Sequence, residues 1–333
     1  MTNAMTIKLS ARLNWMDWMK ALGMYVIILG HTFPIGLCPF IYSFSVPLFF
    51  FISGFLDKRA TSWKECITKC VQTLLIPYLL ICVGNLVLLY FQEGGSWTFS
   101  FLMQKLFYIS VGLHNLFGVR GCGSMWFVYS LIVIKILFYG CNDSRQRMIG
   151  LSVLGIIGAL LFNHIIGKGF GWAVTNTMLA FAYYVLGHLS VNYLKREYNV
   201  SCWILSFGIV LLGSVLFYLS NVNDAAYMYL GWYGNYIFLF YLCALLGIGM
   251  MYFIALLLNP IRKNWVRTIA EGSILILGFH EQLLPFMQYF NLSNQEGCFI
   301  NLLKLIFSFI VLILFVPLIK VVKYYCPILM GRR

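Results

Sequence analysis

Residues 233–258 read YGNYIFLFYLCALLGIGMMYFIALLL, without a single Asp, Glu, Lys or Arg. A helix rises about 1.5 Å per residue, so this run is long enough to cross the roughly 30 Å hydrocarbon core of a bilayer. In lipid every backbone N–H and C=O must bond inside its own segment, which a helix allows. The run also lacks the dyad alternation of a barrel strand. It therefore predicts a transmembrane helix.

Similar apolar runs on either side predict an all-α, polytopic transmembrane helical bundle of about ten spans. The chain has 333 residues, of which 61% are hydrophobic and only 10% charged. An ordinary soluble domain has about 25% charged residues, so this chain could not cover a water-facing surface. We expect a single membrane domain over residues 1–333. The predicted spans are residues 17–36, 38–56, 71–91, 124–140, 148–166, 174–193, 202–220, 233–258, 271–290 and 299–319.

The formal net charge of +13 is distributed as expected for a membrane protein. When the N-terminus is placed in the cytoplasm and the spans alternate, most of the 23 Lys and Arg residues fall in cytoplasmic segments. This positive-inside bias predicts a multi-pass protein with both ends in the cytoplasm. No basic run stands outside these loops, so we expect membrane lipid as a partner and no nucleic acid.

Cysteine and histidine patterns point to no metal site or disulfide framework. The ten Cys residues form no CxxC pair, and most lie in apolar runs where a free Cys behaves as a small hydrophobe. The chain contains no HExxH, GxSxG or phosphate-binding glycine loop. We interpret His114, His164 and His188 as loop or core residues rather than ligands.

Ionisable residues inside predicted spans are functional candidates, because burying them in lipid is costly. Asp17 and Lys20 lie three residues apart and can pair on one helix face, and His31 lies about three turns further along nearly that face. His280, about 14 Å into its span, could face His31 across the bundle. We interpret Glu281 as an outer-interface carboxylate with a different partner. The alternative for the first three residues is a charge anchor beside a hydrogen-bonded core histidine.

Two aromatic-rich stretches add further candidates. Residues 47–56 read PLFFFISGFL, in which Ser53 can bond across helices and Gly54 permits close helix approach. Residues 121–130 read GCGSMWFVYS. Trp126 in this stretch is either an interfacial anchor or a platform for a sugar ring or an adenine, and taken alone the anchor is favoured.

These motifs carry a resemblance to a known family. Over residues 12–320 the chain resembles the acyltransferase-3 family of integral-membrane acyltransferases, and within it the bacterial O-acetyltransferases of surface polysaccharides. The matching motifs are Asp17-x-x-Lys20 followed by His31, PLFFFISGFL at 47–56, LLIPYL at 74–79, MWF at 125–127, and His280.

The resemblance implies a reaction and a location. An acetyl group would pass from cytoplasmic acetyl-CoA, a substrate rather than a bound cofactor, to a hydroxyl of a cell-surface polysaccharide or lipid-linked sugar. The protein would lie in the bacterial cytoplasmic (inner) membrane, and self-association into a homo-oligomer is left open. His31 would act as general base or acetyl relay, and His280 would orient the acceptor or stabilise the oxyanion.

The resemblance also implies where the two substrates bind. Basic residues at the inner face would hold the phosphates of acetyl-CoA, and aromatic residues near Trp126 would bind the glycan. Many members carry an Arg-x-x-Arg pair just before the LLIPYL motif, whereas this chain has Lys69 and Gln72 there. The substrate-binding candidates are Asp17, Lys20, Ser53, Lys58, Arg59, Lys69 and Trp126.

Two other functions fit the same residues. A transporter or flippase of a lipid-linked saccharide would also place charged residues at the membrane midplane, but it would leave its substrate unmodified. A structural membrane partner without catalysis would tolerate substitution of His31 and Lys20.

Overall fold

The computed structural model describes residues 12–34, 36–113, 122–166, 172–195, 200–290, 292 and 297–331. All regular secondary structure in these residues is helical. The α-helices are α1 Asn14–His31, α2 Cys38–Phe55, α3 Trp63–Cys70, α4 Ile76–Gln92, α5 Phe99–Ser110, α6 Trp126–Gly140, α7 Arg145–Ile166, α8 Ala173–Leu194, α9 Cys202–Asn223, α10 Ile237–Leu257, α11 Asn264–Glu271, α12 Ser273–Phe279, α13 Phe286–Tyr289 and α14 Cys298–Tyr325.

Seven helical segments among these described residues are long and apolar enough to cross a membrane. The prediction of an all-α, polytopic membrane bundle is confirmed. Of the other predicted spans, α1 and α8 carry more polar residues, and 271–290 is not one helix. The seven segments are Cys38–Phe55, Trp63–Gln92, Gly123–Gly140, Arg145–Phe162, Cys202–Leu230, Ile237–Leu257 and Cys298–Tyr325.

Helix α2 lies at the centre of the bundle and packs against α1, α8 and α10. Its contact with α8 is close because each helix presents a glycine to the other. A Cβ atom on Gly54 would overlap the carbonyl oxygen of Tyr184, and a Cβ on Gly187 would overlap that of Phe51. The close approach expected at Gly54 is therefore present, and small residues make it possible.

The predicted span 271–290 is broken. Helix α12 ends at Phe279, where the backbone leaves helical geometry (φ −122°, ψ −5°), and a 3₁₀ turn over His280–Gln282 follows. We call residues 280–282 the histidine turn. The carbonyl of Gly278 accepts a hydrogen bond of 2.8 Å from the fully buried Asn85 amide, and Gln282 donates one of 3.0 Å to the Asn85 oxygen. Helix α4 thus supports the break through one amide side chain.

Asp17 sits at the start of α1, where Arg12 holds it. The guanidinium donates from Nε and Nη2 to both carboxylate oxygens, at 2.6 and 2.9 Å. We expected Lys20 as a partner of Asp17. The structure adds Arg12, whose fork engages both carboxylate oxygens, while Lys20 lies half-buried one turn further along α1. Burial acts to lower the pKa of Arg12, but hydrogen bonds and charge attraction from Asp17 and Glu271 outweigh it and raise that pKa.

Glu271, at the end of α11, extends this network to the last helix. Its carboxylate accepts hydrogen bonds from Arg12 at 2.6 Å, Arg267 at 3.0 Å and Lys323 at 2.7 Å. Helices α1, α11 and α14 are thereby joined at the N-terminal end of α1.

Candidate active site

The two histidines singled out from the sequence meet at the opposite end of α1. His31 is the last residue of that helix, and His280 opens the histidine turn. Their ring centroids are 4.7 Å apart and the rings meet edge to face at 80°. His280 is fully buried, whereas the His31 side chain is 30% exposed. We call these residues the histidine pair.

Hydrogen bonds to the backbone define where both rings carry a proton. His31 Nδ1 lies 2.9 Å from the carbonyl oxygen of Ile27, and His280 Nδ1 lies 2.9 Å from that of Ile276 and 3.1 Å from that of Leu277. A carbonyl oxygen only accepts, so each Nδ1 must carry the hydrogen. In the neutral rings both Nε2 atoms therefore present a lone pair, the form that a general base requires.

Glu281 completes the cluster. Its Oε1 lies 3.9 Å from His31 Nε2. The same oxygen accepts a 3.0 Å bond from the backbone N–H of Ser124 and a short bond from the Ser124 hydroxyl. Glu281 therefore has a hydrogen-bond partner of its own in Ser124, as expected, but it also lies beside His31, which His280 contacts as well. Its placement at the outer interface stays a prediction.

A cavity of about 300 Å³ opens in front of His31. Its wall is largely apolar and aromatic, with polar groups from His31, Ser124 and Glu281. Trp126 forms part of the wall and is only 4% exposed, so it is buried in the bundle rather than placed as an interfacial anchor. An apolar cavity with a few convergent polar groups is the usual form of a small-molecule site.

A second, smaller cavity of about 40 Å³ gathers the basic candidates. Lys58, Arg59 and Lys69 line it together with Asp57 and Lys135. We call this cavity the basic pocket. Two of its lining residues form an ion pair, in which Lys135 Nζ lies 2.5 Å from the Asp57 carboxylate. The outer cations also have partners, because Lys69 pairs with Glu65 at 2.6 Å and Arg59 with Asp143.

The two sites lie at opposite ends of α1. The ring of Trp15, at the start of α1, contacts that of Phe55, at the end of α2, with centroids 5.4 Å apart. The basic pocket begins two residues after Phe55, whereas His31 lies sixteen residues after Trp15, or about 24 Å along the helix. Asp17 and Lys20 belong to the basic end. Ser53 is half-buried in α2 and does not line either cavity.

With this geometry described, the chain can be compared with known proteins. A family model described as an acyltransferase domain matches residues 13–321. The chain belongs to the acyltransferase-3 family. It is therefore a membrane acyltransferase, and the histidine pair is the candidate for its reacting centre. No curated protein and no solved structure matches the chain.

Several residues of this acyltransferase were missed from the sequence. Ser124 lies in the 121–130 stretch two residues before Trp126, and Lys135 lies inside the predicted span 124–140. A lysine in an apolar run signals a buried partner, which would have led to Asp57. The role of Glu281 had no sequence signal beyond its position next to His280. The discounted His114 lies outside the described residues.

Proposed function

We propose that this acyltransferase transfers an acetyl group from cytoplasmic acetyl-CoA to a hydroxyl of a cell-surface polysaccharide or lipid-linked sugar. The protein would act in the bacterial cytoplasmic membrane. The observation that carries the proposal is the placement of His31 in the wall of a cavity, with Nδ1 on the Ile27 carbonyl and Nε2 3.9 Å from the Glu281 carboxylate. A base oriented by a backbone carbonyl and backed by an anion is suited to activating a hydroxyl.

In the proposed reaction His31 Nε2 removes the proton of the acceptor hydroxyl as its oxygen attacks the thioester carbonyl. A C–O bond forms, the C–S bond breaks, and the proton passes from the imidazolium to the departing CoA thiolate. Glu281 stabilises the imidazolium between these steps. The same Nε2 lone pair is equally able to take the acetyl group first, as a relay.

The geometry favours a different role for His280 than contact with the acceptor. His280 does not line the cavity, and its Nδ1–H is already bonded to backbone carbonyls. It is therefore poorly placed to donate to an oxyanion. Its ring contacts His31, so we assign it a positioning role, in which it fixes the base and can accept a hydrogen bond from the imidazolium.

The basic pocket is the proposed site for the phosphates of acetyl-CoA. It brings Lys58, Arg59 and Lys69 together, with Lys20 at the same end of α1, and the charge bias predicts that this end faces the cytoplasm. These cations would stand in for the family's Arg-x-x-Arg pair, although only Arg59 offers a bidentate fork and the lysines act as point charges. The thioester must then reach His31 across about 24 Å of the bundle.

The histidine cavity is the proposed site for the acceptor. Trp126, Phe49 and Tyr229 line it, and such aromatic faces suit the apolar face of a sugar ring. His31, Glu281 and Ser124 lie together in its wall, and the reacting hydroxyl would be held beside them.

The test uses His31→Ala and His31→Gln in a strain that lacks the native gene. Mass spectrometry of the surface polysaccharide should show loss of a base-labile acetyl ester with both variants at normal expression. His164→Gln, on an exposed histidine at the far end of α7, is the matched control and should retain acetylation. Full acetylation by both His31 variants would contradict the mechanism. An unmodified polysaccharide even with the native protein would favour a transporter.

A further inference from the structure

We propose that His31, His280 and Glu281 also form a binding site for a divalent transition-metal ion such as Zn²⁺, and that the bound ion inhibits acyl transfer. The inhibition rests on the proposed function, whereas the binding site does not.

The three side chains each offer one ligand atom to a common point. Two imidazole nitrogens and a carboxylate oxygen lie within 4.8 Å of one another. Zinc bonds of about 2.0–2.2 Å in tetrahedral geometry place ligand atoms roughly 3.4 Å apart, so the cluster must close by up to about 1.5 Å. The side chains of His31 and Glu281 are 30% and 21% exposed and border the cavity, so they have room for this movement.

The second observation is the unsatisfied nitrogen of His280. Its Nε2 is fully buried and has no hydrogen-bond partner within the described part of the chain. A buried polar atom without a partner is uncommon and costs roughly 1–3 kcal/mol. A metal ion between the two rings would satisfy this lone pair and that of His31 at once.

The surroundings of the three ligands match those of metal sites. Metal-binding histidines donate the other ring N–H to a carbonyl or carboxylate, as both Nδ1 atoms do here. The ligand carboxylate is itself held by Ser124. Two imidazoles and one carboxylate favour Zn²⁺ and its first-row neighbours over Mg²⁺ or Ca²⁺, which prefer oxygen ligands. Three protein ligands leave a fourth position open to the cavity.

Binding and catalysis would exclude each other. A lone pair on His31 Nε2 that coordinates a metal ion cannot remove a proton from the acceptor. The ion would also occupy the space beside Glu281 where the imidazolium charge is stabilised. Zinc should therefore act as an inhibitor whose effect a chelator reverses.

Co²⁺ titration of the purified full-length protein in detergent tests the site directly. The wild-type protein should show saturable visible absorption from one tetrahedral Co²⁺, displaced by Zn²⁺. His280→Ala, His31→Ala and Glu281→Gln should each weaken binding at least about tenfold. His188→Ala, on another largely buried histidine, is the matched control and should bind normally. His31 and Glu281 are partly exposed, so their variants keep the test valid if His280→Ala fails to fold.

Two results would overturn the site: no saturable spectrum with the wild-type protein, or binding of Co²⁺ by the Glu281→Gln and His31→Ala variants that is as tight as that of the wild type. Acetyl transfer in detergent-solubilised membranes tests inhibition separately. Zinc should reduce the rate and a chelator should restore it, whereas loss of activity on chelation would overturn the inhibitory role. A third outcome separates the two proposals. If the protein binds Co²⁺ but transfers no acetyl group even in the presence of a chelator, the metal site stands, whereas the proposed function and its inhibition by zinc are both overturned.

Discussion

Replacing Glu281 by Gln removes the negative charge behind the proposed base while keeping the shape of the side chain. The carboxylate oxygen is 3.9 Å from His31 Nε2. At an effective dielectric constant of about 20, unit charges at this distance attract by about 4 kcal/mol, and water in the cavity reduces this figure. The variant should therefore lose roughly 2–4 kcal/mol of transition-state stabilisation, which corresponds to a rate about 30- to 1,000-fold lower.

The Glu281→Gln rate can be measured as transfer of radiolabelled acetyl from acetyl-CoA into polysaccharide by solubilised membranes. An amide oxygen at residue 281 can still accept from Ser124, so expression and thermal stability should stay near wild type. Glu93→Gln, at an exposed carboxylate that bonds Trp97, is the matched control and should change the rate less than twofold. A wild-type rate in Glu281→Gln would refute a mechanism in which His31 becomes charged.

The other predictions concern the framework around the site, and each is read from thermal unfolding in detergent. Gly54→Ala should destabilise by about 1–3 kcal/mol, because its Cβ overlaps the Tyr184 carbonyl, and a midpoint equal to wild type would contradict the close contact. Asn85→Leu leaves a buried carbonyl of the broken helix unpaired and should cost about 1–3 kcal/mol and lower the acyl-transfer rate. Lys135→Met leaves the Asp57 carboxylate without its ion-pair partner and should lower the free energy of unfolding by about 3 kcal/mol. Adding Asp57→Asn should recover part of this loss, and no recovery would argue against the pair.

The spans and their helical class could be predicted from the sequence because they depend on local composition. A run such as 233–258 has one stable form in lipid, whatever surrounds it, since its backbone must bond to itself. Ionisable residues in such runs can also be recognised from the sequence, because burying them in lipid costs free energy. His31 and His280 were singled out on this basis. The clustering of Lys58, Arg59 and Lys69 follows equally from a short stretch of chain, because all three lie in one connection and the helix after it.

The pairing of groups distant in the sequence required the tertiary structure. Arg12 bonds to both Asp17 and Glu271, and the second of these partners lies 259 positions away in the chain. The break after Gly278 depends on an amide from α4, and no periodicity in residues 271–290 indicates it. Glu281, just after this break, lies 3.9 Å from His31, 250 positions away in the chain.

Local hydrophobicity thus determined that this protein is a membrane bundle with histidines at depth, because transfer into lipid is a property of each segment alone. That Glu281 lies beside His31, and that both border one cavity, was decided only by the packing of segments distant in the chain. Hydrogen bonds and charge interactions act over a few ångströms in space, and their partners need not be near in the sequence.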